Sequence, residues 1–255
     1  MSWSLSSGFE KNLSSHPGKK LMTENPSAKP TADPSFRDAR RAHESFLARS
    51  EKKVLIWMAR RLPDWVTPDQ LTAFGFLAMI GVGLSYWLSF YWKGGFLLAS
   101  LLLVANWFGD SLDGTVARVR EKLRPRYGFY VDHVLDAFGT ACLLLGLALS
   151  GSMSPLVAMG ALVAYFLLNI EVYLATYTLG TFHMSFLKFS PTELRLLLIV
   201  GNTALYFGRQ KTRLLGTEWL VFDIGGLIGI AGMLLMTVLS AVRHTRTLYR
   251  QEPYR

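Results

Sequence analysis

Six long apolar runs account for most of this chain, at about 71–91, 96–117, 128–149, 155–178, 191–207 and 219–240. A helix crosses a bilayer with roughly 20 predominantly apolar residues. In hydrocarbon it also satisfies its own backbone donors and acceptors without a neighbouring chain. The pattern therefore predicts an all-α integral membrane protein with six transmembrane helices. Short polar or glycine-bearing breaks separate the runs, at Lys93-Gly94-Gly95, Gly151-Ser152, Gly180-Thr181 and Gly208-Arg209. Thr67-Pro68-Asp69 precedes the first run and suits a helix start, with Thr67 or Asp69 as the capping side chain.

Upstream of the runs the pattern changes. Across residues 37–62, Leu47, Val54, Leu55, Met58 and Leu62 fall on one helical arc, and Arg49, Lys52, Lys53 and Arg60 on the other. Residues 36–63 are expected to form an amphipathic juxtamembrane helix lying in the headgroup plane, basic side toward anionic lipid. The competing expectation is a solvated helix packed against the membrane domain. Pro63 closes the segment. Residues 1–35, rich in Ser, Pro, Lys and Gly, read as a disordered tail. They contain no apolar core of the signal-peptide type, so the first membrane helix is expected to direct insertion. Residues 64–242 form the membrane domain, and 243–255 a basic tail.

Composition agrees. The chain has 255 residues, 51% of them hydrophobic and only 18% charged, against about a quarter charged in soluble domains. The lone Cys142 lies inside an apolar run, which excludes a disulfide framework and a cysteine-based metal site. Lysines and arginines set the orientation. The N-terminal region, the 119–127 loop (Arg120, Lys122, Arg124, Arg126) and the C-terminus are basic, which predicts both termini on the cytoplasmic side. Arg209, Lys211 and Arg213, on the opposite side, break the rule. The aromatic residues Trp65, Trp87, Trp92, Trp107, Trp219 and Tyr206 near span ends suit an interfacial belt.

Against this apolar background four aspartates stand out, in Asp110-x-x-Asp113-Gly114-x-x-Ala117-Arg118, nine further residues, then Gly128-x-x-x-Asp132-x-x-x-Asp136. A carboxylate within a membrane helix costs about 2.5–3.5 kcal/mol on insertion scales. Asp110, Asp113, Gly114 and Ala117 share one helical stripe, and Gly128, Asp132 and Asp136 share another. The expected topology brings both pairs to one depth at the cytoplasmic face. Carboxylates so concentrated hold protons or bind cations. An all-oxygen set favours Mg²⁺ or Mn²⁺ over Zn²⁺, and two divalent cations would neutralise the cluster and serve phosphoryl displacement. Gly114 and Ala117 leave room against the helix, Gly128 opens the opposite wall, and Arg118 can fork onto a phosphate.

This run resembles the signature of the CDP-alcohol phosphotransferase family, D-x-x-D-G-x-x-A-R-x(8–9)-G-x-x-x-D-x-x-x-D. Thr67-Pro68-Asp69-Gln70-Leu71-Thr72 is similar to that family's T-P-N-x-x-T segment, with Asp69 in place of Asn. The likeness covers about residues 60–240. It implies a transferase of phospholipid biosynthesis. Asp110, Asp113 and Asp132 would hold the metals with help from Asp136, and Asp136 would deprotonate the acceptor hydroxyl. Asp113, Gly114, Ala117, Arg118, Gly128 and Thr72 would contact the CDP part of the donor. The family also implies a homodimer. Two branches stay open: a CDP-diacylglycerol donor with a polar alcohol, or a CDP-amino alcohol with diacylglycerol. Asp132-His133-x-x-Asp136 and Pro191-Thr192-Glu193 look like the second branch.

Asn169, Glu171, Glu193 and Arg195 are candidates for the alcohol acceptor pocket, with Glu171 and Arg195 alternatively forming an ion pair between helices. Membrane lipids surround the protein, and no nucleic-acid partner is expected. Two other readings compete. A cation or proton transporter would place acids at several depths and show paired broken helices, which the sequence lacks. An inactive scaffold of the same fold would not need every signature position.

Overall fold

The computed structural model describes residues 48–179, 191–208, 211–214 and 217–252. The expected tail 1–35 and the start of the juxtamembrane helix lie outside them. Seven helices and a hairpin follow in order: α1 (Ala48–Arg61), α2 (Pro68–Ser89), α3 (Gly94–Val119), α4 (Pro125–Leu149), α5 (Pro155–Leu179), α6 (Pro191–Phe207), β1 (Lys211–Leu214), β2 (Thr217–Leu220) and α7 (Val221–Gln251).

Of the six expected spans, α2, α3, α4, α5 and α7 are long and apolar enough to cross a membrane. The 17-residue α6 reaches about 25 Å, the lower limit for a span, and packs on α3. Leu77, Leu101, Leu145, Leu156 and Ile228 are exposed on the bundle's outside. Such a surface is costly in water and suited to acyl chains.

The helices start where their local chemistry dictates. The Thr67 side chain accepts from the Gln70 backbone N–H, and the Gln70 side chain accepts from the Thr67 N–H at 2.8 Å, a complete capping box ahead of Pro68. Pro125 and Pro155 open α4 and α5, where a missing N–H costs nothing.

Packing is organised around α2, which lies along both α3 and α4; α5 then packs on α4, and α7 on α5. Glycines allow these contacts. A Cβ on Gly109 would stand 2.7 Å from the Gly75 nitrogen, and one on Gly146 would stand 2.1 Å from the Gly83 carbonyl oxygen. Backbone meets backbone at both crossings, the small-residue packing that membrane helices use. The densest core lies toward one end of the bundle and draws Val82, Tyr86, Phe96, Leu103, Leu147, Leu205 and Phe222 from five helices. Within it the Tyr86 hydroxyl donates to Asn202 Oδ1 at 2.9 Å, and Asn202 Nδ2 donates to Ser100 Oγ at 3.1 Å. Buried polar groups are thereby satisfied across three helices.

Four sequence expectations change. The arc of α1 carrying Leu55, Met58 and Leu62 does not face lipid: Leu55 and Ala59 are buried with Leu71, Leu112 and Val116 of α2 and α3. α1 packs against the membrane domain there, with an apolar partner at the end of α3. Trp107 and Tyr206 pack against the two clusters instead of joining a belt. The loop before the last span contains an antiparallel hairpin, where Lys211 pairs with Glu218 at 3.7 Å. That pairing offsets part of the charge that broke the orientation rule. The basic residues from 243 onward continue α7 as helix to Gln251.

Gly146→Ala is expected to lower stability by about 1–3 kcal/mol through overpacking against Gly83. Gly229→Ala, where a Cβ meets nothing within 4 Å, should be neutral or stabilising. Thermal unfolding of the two variants in detergent checks the contrast.

Candidate active site

A cavity of about 30 Å³ opens between α3 and α4 with α2 as its floor. Asp110, Asp113 and Asn106 line it from α3, and Asp132, Leu135, Asp136 and Gly139 from α4. Thr72, Gly75, Phe76 and Met79 of α2 complete it. All four aspartates thus share one cavity, because α3 ends and α4 begins at the same end of the bundle. That volume holds about two water-sized bodies, the scale of ions and not of a nucleotide.

Each α3 carboxylate has a defined partner. The Thr72 hydroxyl donates to Asp113 Oδ2 at 2.6 Å, and the Gly114 N–H donates to Asp113 Oδ1. Asp110 Oδ2 accepts from Arg195 Nη2 of α6 at 2.6 Å. Arg195 Nε reaches Asn106 Oδ1 at 2.8 Å, and Asn106 Nδ2 donates to the Gly75 carbonyl at 3.0 Å. One guanidinium therefore couples α6, α3 and, through Asn106, α2.

Among the described residues, no three His, Cys, Asp or Glu side chains converge as a ready ion site. Arg195 draws Asp110 aside, and Thr72 with Gly114 fixes Asp113. The donor chemistry nonetheless fits hard divalent cations: four carboxylates and a hydroxyl, all oxygen, around a space of ionic size.

The remaining signature residues divide. Gly114 and Gly128 have no packing reason to lack a side chain. A Cβ at Gly114 would meet only Arg118 Nη2, at 3.7 Å, and one at Gly128 would meet nothing within 4 Å. Both face open space, unlike the glycines of the helix crossings. Arg118 folds back, its Nε donating to the Gly114 carbonyl at 3.0 Å. Ala117, on the same stripe, is buried.

A family model for CDP-alcohol phosphatidyltransferase matches residues 65–237. The chain belongs to the CDP-alcohol phosphatidyltransferase family. An archaetidylinositol phosphate synthase of Pyrococcus horikoshii is 34% identical over 86 residues, covering 34% of this chain and 43% of that protein. The matched stretch thus spans under half the length of that relative. The crystal structure of Mycobacterium tuberculosis phosphatidylinositol phosphate synthase (PgsA1) with CDP-DAG bound superposes with a TM-score of 0.50 at 17% identity, covering 79% of this chain and 94% of that one. At that identity the likeness shows a common membrane fold.

The expected acceptor residues of this family member do not gather. Arg195 reaches the aspartates but is held by Asp110 and Asn106. Glu171 pairs with His244 of α7 at 2.6 Å, so the alternative Glu171–Arg195 pair does not form. No local pattern points to His244, because its partner lies two helices away. Asn169 donates to the Tyr165 carbonyl of its own helix at 3.0 Å, and Glu193 is not among the cavity's lining residues. The basic 119–127 loop is partly committed too: Arg124 pairs with Asp69 and lies over the Tyr127 ring at 4.2 Å. Gly75, Phe76, Met79, Asn106, Leu135 and Gly139 went unnoticed in the sequence. Only the facing periodicity of α2 could have pointed to the first three.

Arg195→Gln should destabilise the fold by about 1.5–3 kcal/mol, the scale of hydrogen bonds to a charged group. Arg195→Lys should recover only part of this, since an ammonium cannot fork between Asp110 and Asn106. Chemical unfolding in detergent measures both.

Proposed function

We propose that this family member transfers a phosphatidyl-type group from a CDP-linked lipid donor to the hydroxyl of a polar alcohol, releasing CMP. The observation that carries the reading is that Asp110, Asp113, Asp132 and Asp136 all line one small cavity. Gly114 and Gly128 beside it have no packing partner. Asp110, Asp113 and Asp132, with help from Asp136, would hold two Mg²⁺ or Mn²⁺ ions. When bound, such ions supply charge neutralisation of the donor pyrophosphate.

The chain's own groups supply the rest. Thr72 and the Gly114 N–H hold the Asp113 carboxylate in one orientation. The open faces of Gly114 and Gly128 leave space for the cytidine at the cavity mouth, since the cavity itself is too small for it. Arg118, exposed over Gly114, would turn to contact a phosphate. Asp136, exposed at the cavity, takes the proton from the acceptor hydroxyl as its oxygen attacks the phosphorus distal to cytidine. The phosphorus–oxygen bond to CMP breaks, and a phosphodiester forms. The site is proposed to face the cytoplasm, on the side of the basic loop.

Between the two donor branches, the CDP-lipid one is better supported. Both relatives are named as synthases of an inositol phosphate lipid, and one holds CDP-DAG. His133, part of the likeness to the amino-alcohol branch, has local partners. His133 Nδ1 lies 2.6 Å from the Phe129 carbonyl of its own helix, and its ring packs against Phe129 and Tyr173. A transporter has less support: Asp223, at the opposite end of the bundle, accepts the Ser154 N–H at 2.7 Å, a bond that ties α7 to the start of α5.

Membranes containing the protein should release CMP from CDP-diacylglycerol when given a polar alcohol, and EDTA should abolish release. CDP-choline with diacylglycerol should be inert; activity with that pair alone would reverse the branch. Asp136→Asn should lower turnover by at least about 10²–10⁴-fold, the range for a general base, with donor binding retained. Loss of binding together with turnover would remove the base role from Asp136.

A further inference from the structure

We propose that Arg120, which lies outside the family signature, is a positioning residue that fixes the start of α2 against the end of α3 and so keeps Thr72 on Asp113. The inference rests on the reading of Asp113 as a metal ligand. Arg120 caps α3. Its Nη1 donates to the Val66 carbonyl at 2.5 Å and lies 3.5 Å from that of Asp64; its Nη2 donates to the carbonyls of Leu62 and Pro63 at 2.9 and 3.0 Å. These acceptors follow α1 and form the linker to the Thr67 capping box. A planar guanidinium with five donors in a fixed fork can gather them; a single ammonium cannot.

Arg120 is itself held. The Glu121 N–H donates to the Arg118 carbonyl at 3.2 Å and the Lys122 N–H to the Ala117 carbonyl at 2.8 Å, closing α3 in the paired pattern of a left-handed cap. Glu121 occupies the left-handed position, with φ of 54°.

The effect reaches the site through α2. On one side of Thr72, α2 and α3 meet at the Gly75–Gly109 crossing. On the other side Arg120 ties the end of α3 to the linker. Thr72 lies between these two points. Its hydroxyl has one proton and two acceptors within reach: Asp113 Oδ2 at 2.6 Å and the Pro68 carbonyl of its own helix at 3.1 Å. If the linker is released, the first turn of α2 loses its backbone anchor to α3 and keeps the Leu71 packing and the Arg124–Asp69 pair, and the Thr72 hydroxyl turns to Pro68. Asp113 then loses the bond that orients it. Groups that orient a metal-binding carboxylate typically change metal affinity by 10–100-fold.

The test is Mn²⁺ binding to the purified full-length protein in detergent, read by electron paramagnetic resonance, beside the Mn²⁺ concentration giving half-maximal CMP release. Arg120→Gln and Thr72→Val should each weaken Mn²⁺ binding on the order of tenfold. The double variant should be no weaker than Thr72→Val alone. Arg120→Lys, which keeps one donor group, should fall between wild type and Arg120→Gln, and it carries the test if Arg120→Gln does not fold. A merely structural role would lower the melting temperature and leave the Mn²⁺ affinity of the folded fraction unchanged; that result overturns the proposal. So does an additive loss in the double variant. Mn²⁺ binding without CMP release, with the Arg120 effect present, sinks the transferase reading and upholds this one.

Discussion

Everything at the functional end of this protein depends on how closely α2 lies against its two neighbours. α3 and α4 carry the aspartates, yet it is α2 that packs along both. It does so at backbone contact, through Gly75 and Gly109 on one side and Gly83 and Gly146 on the other. A Cβ at either crossing would overlap the facing backbone and force the helices apart. In a bilayer there is little hydrophobic drive to pull helices together, so close van der Waals contact must supply the register. Two crossings on one helix set the spacing between the helix that carries Asp110 and Asp113 and the helix that carries Asp132 and Asp136.

The two ends of the bundle solve opposite problems. The end built from Tyr86, Phe96, Leu147 and Phe222 is packed, and its Tyr86, Asn202 and Ser100 side chains bond one another. The other end concentrates carboxylates and leaves space beside Gly114 and Gly128. What keeps it in shape is arginine. Arg195 holds Asp110, Arg124 holds Asp69, and Arg120 gathers the backbone of the linker ahead of α2. A guanidinium stays charged and presents several donors at once, so it can tie helices together where apolar packing would close the site. Arg120 and Arg124, both of the basic 119–127 segment, are thus also mechanical ties in this fold.

The contrast between glycines separates packing from binding. Gly75, Gly83, Gly109 and Gly146 are required by neighbouring backbone. Among the described residues, none requires Gly114 or Gly128 to lack a side chain. From sequence both classes are small residues in apolar helices, and the packing explanation covers either. Only coordinates show which glycines face another helix and which face space that a ligand could fill.

The sequence alone determined the class of architecture, the aspartate spacing and the family. Each is local: apolar length decides a span, helical periodicity puts Asp110 with Asp113 and Asp132 with Asp136, and the signature lies within two consecutive helices. Tertiary structure decided who meets whom. It placed α2 between the aspartate helices, turned the leucine arc of α1 onto α3, gave Arg195 to Asp110 and Glu171 to His244, and put a hairpin before α7. These pairings join residues dozens of positions apart. Helical periodicity fixes the direction of a side chain relative to its own axis and carries no information on which axis lies opposite.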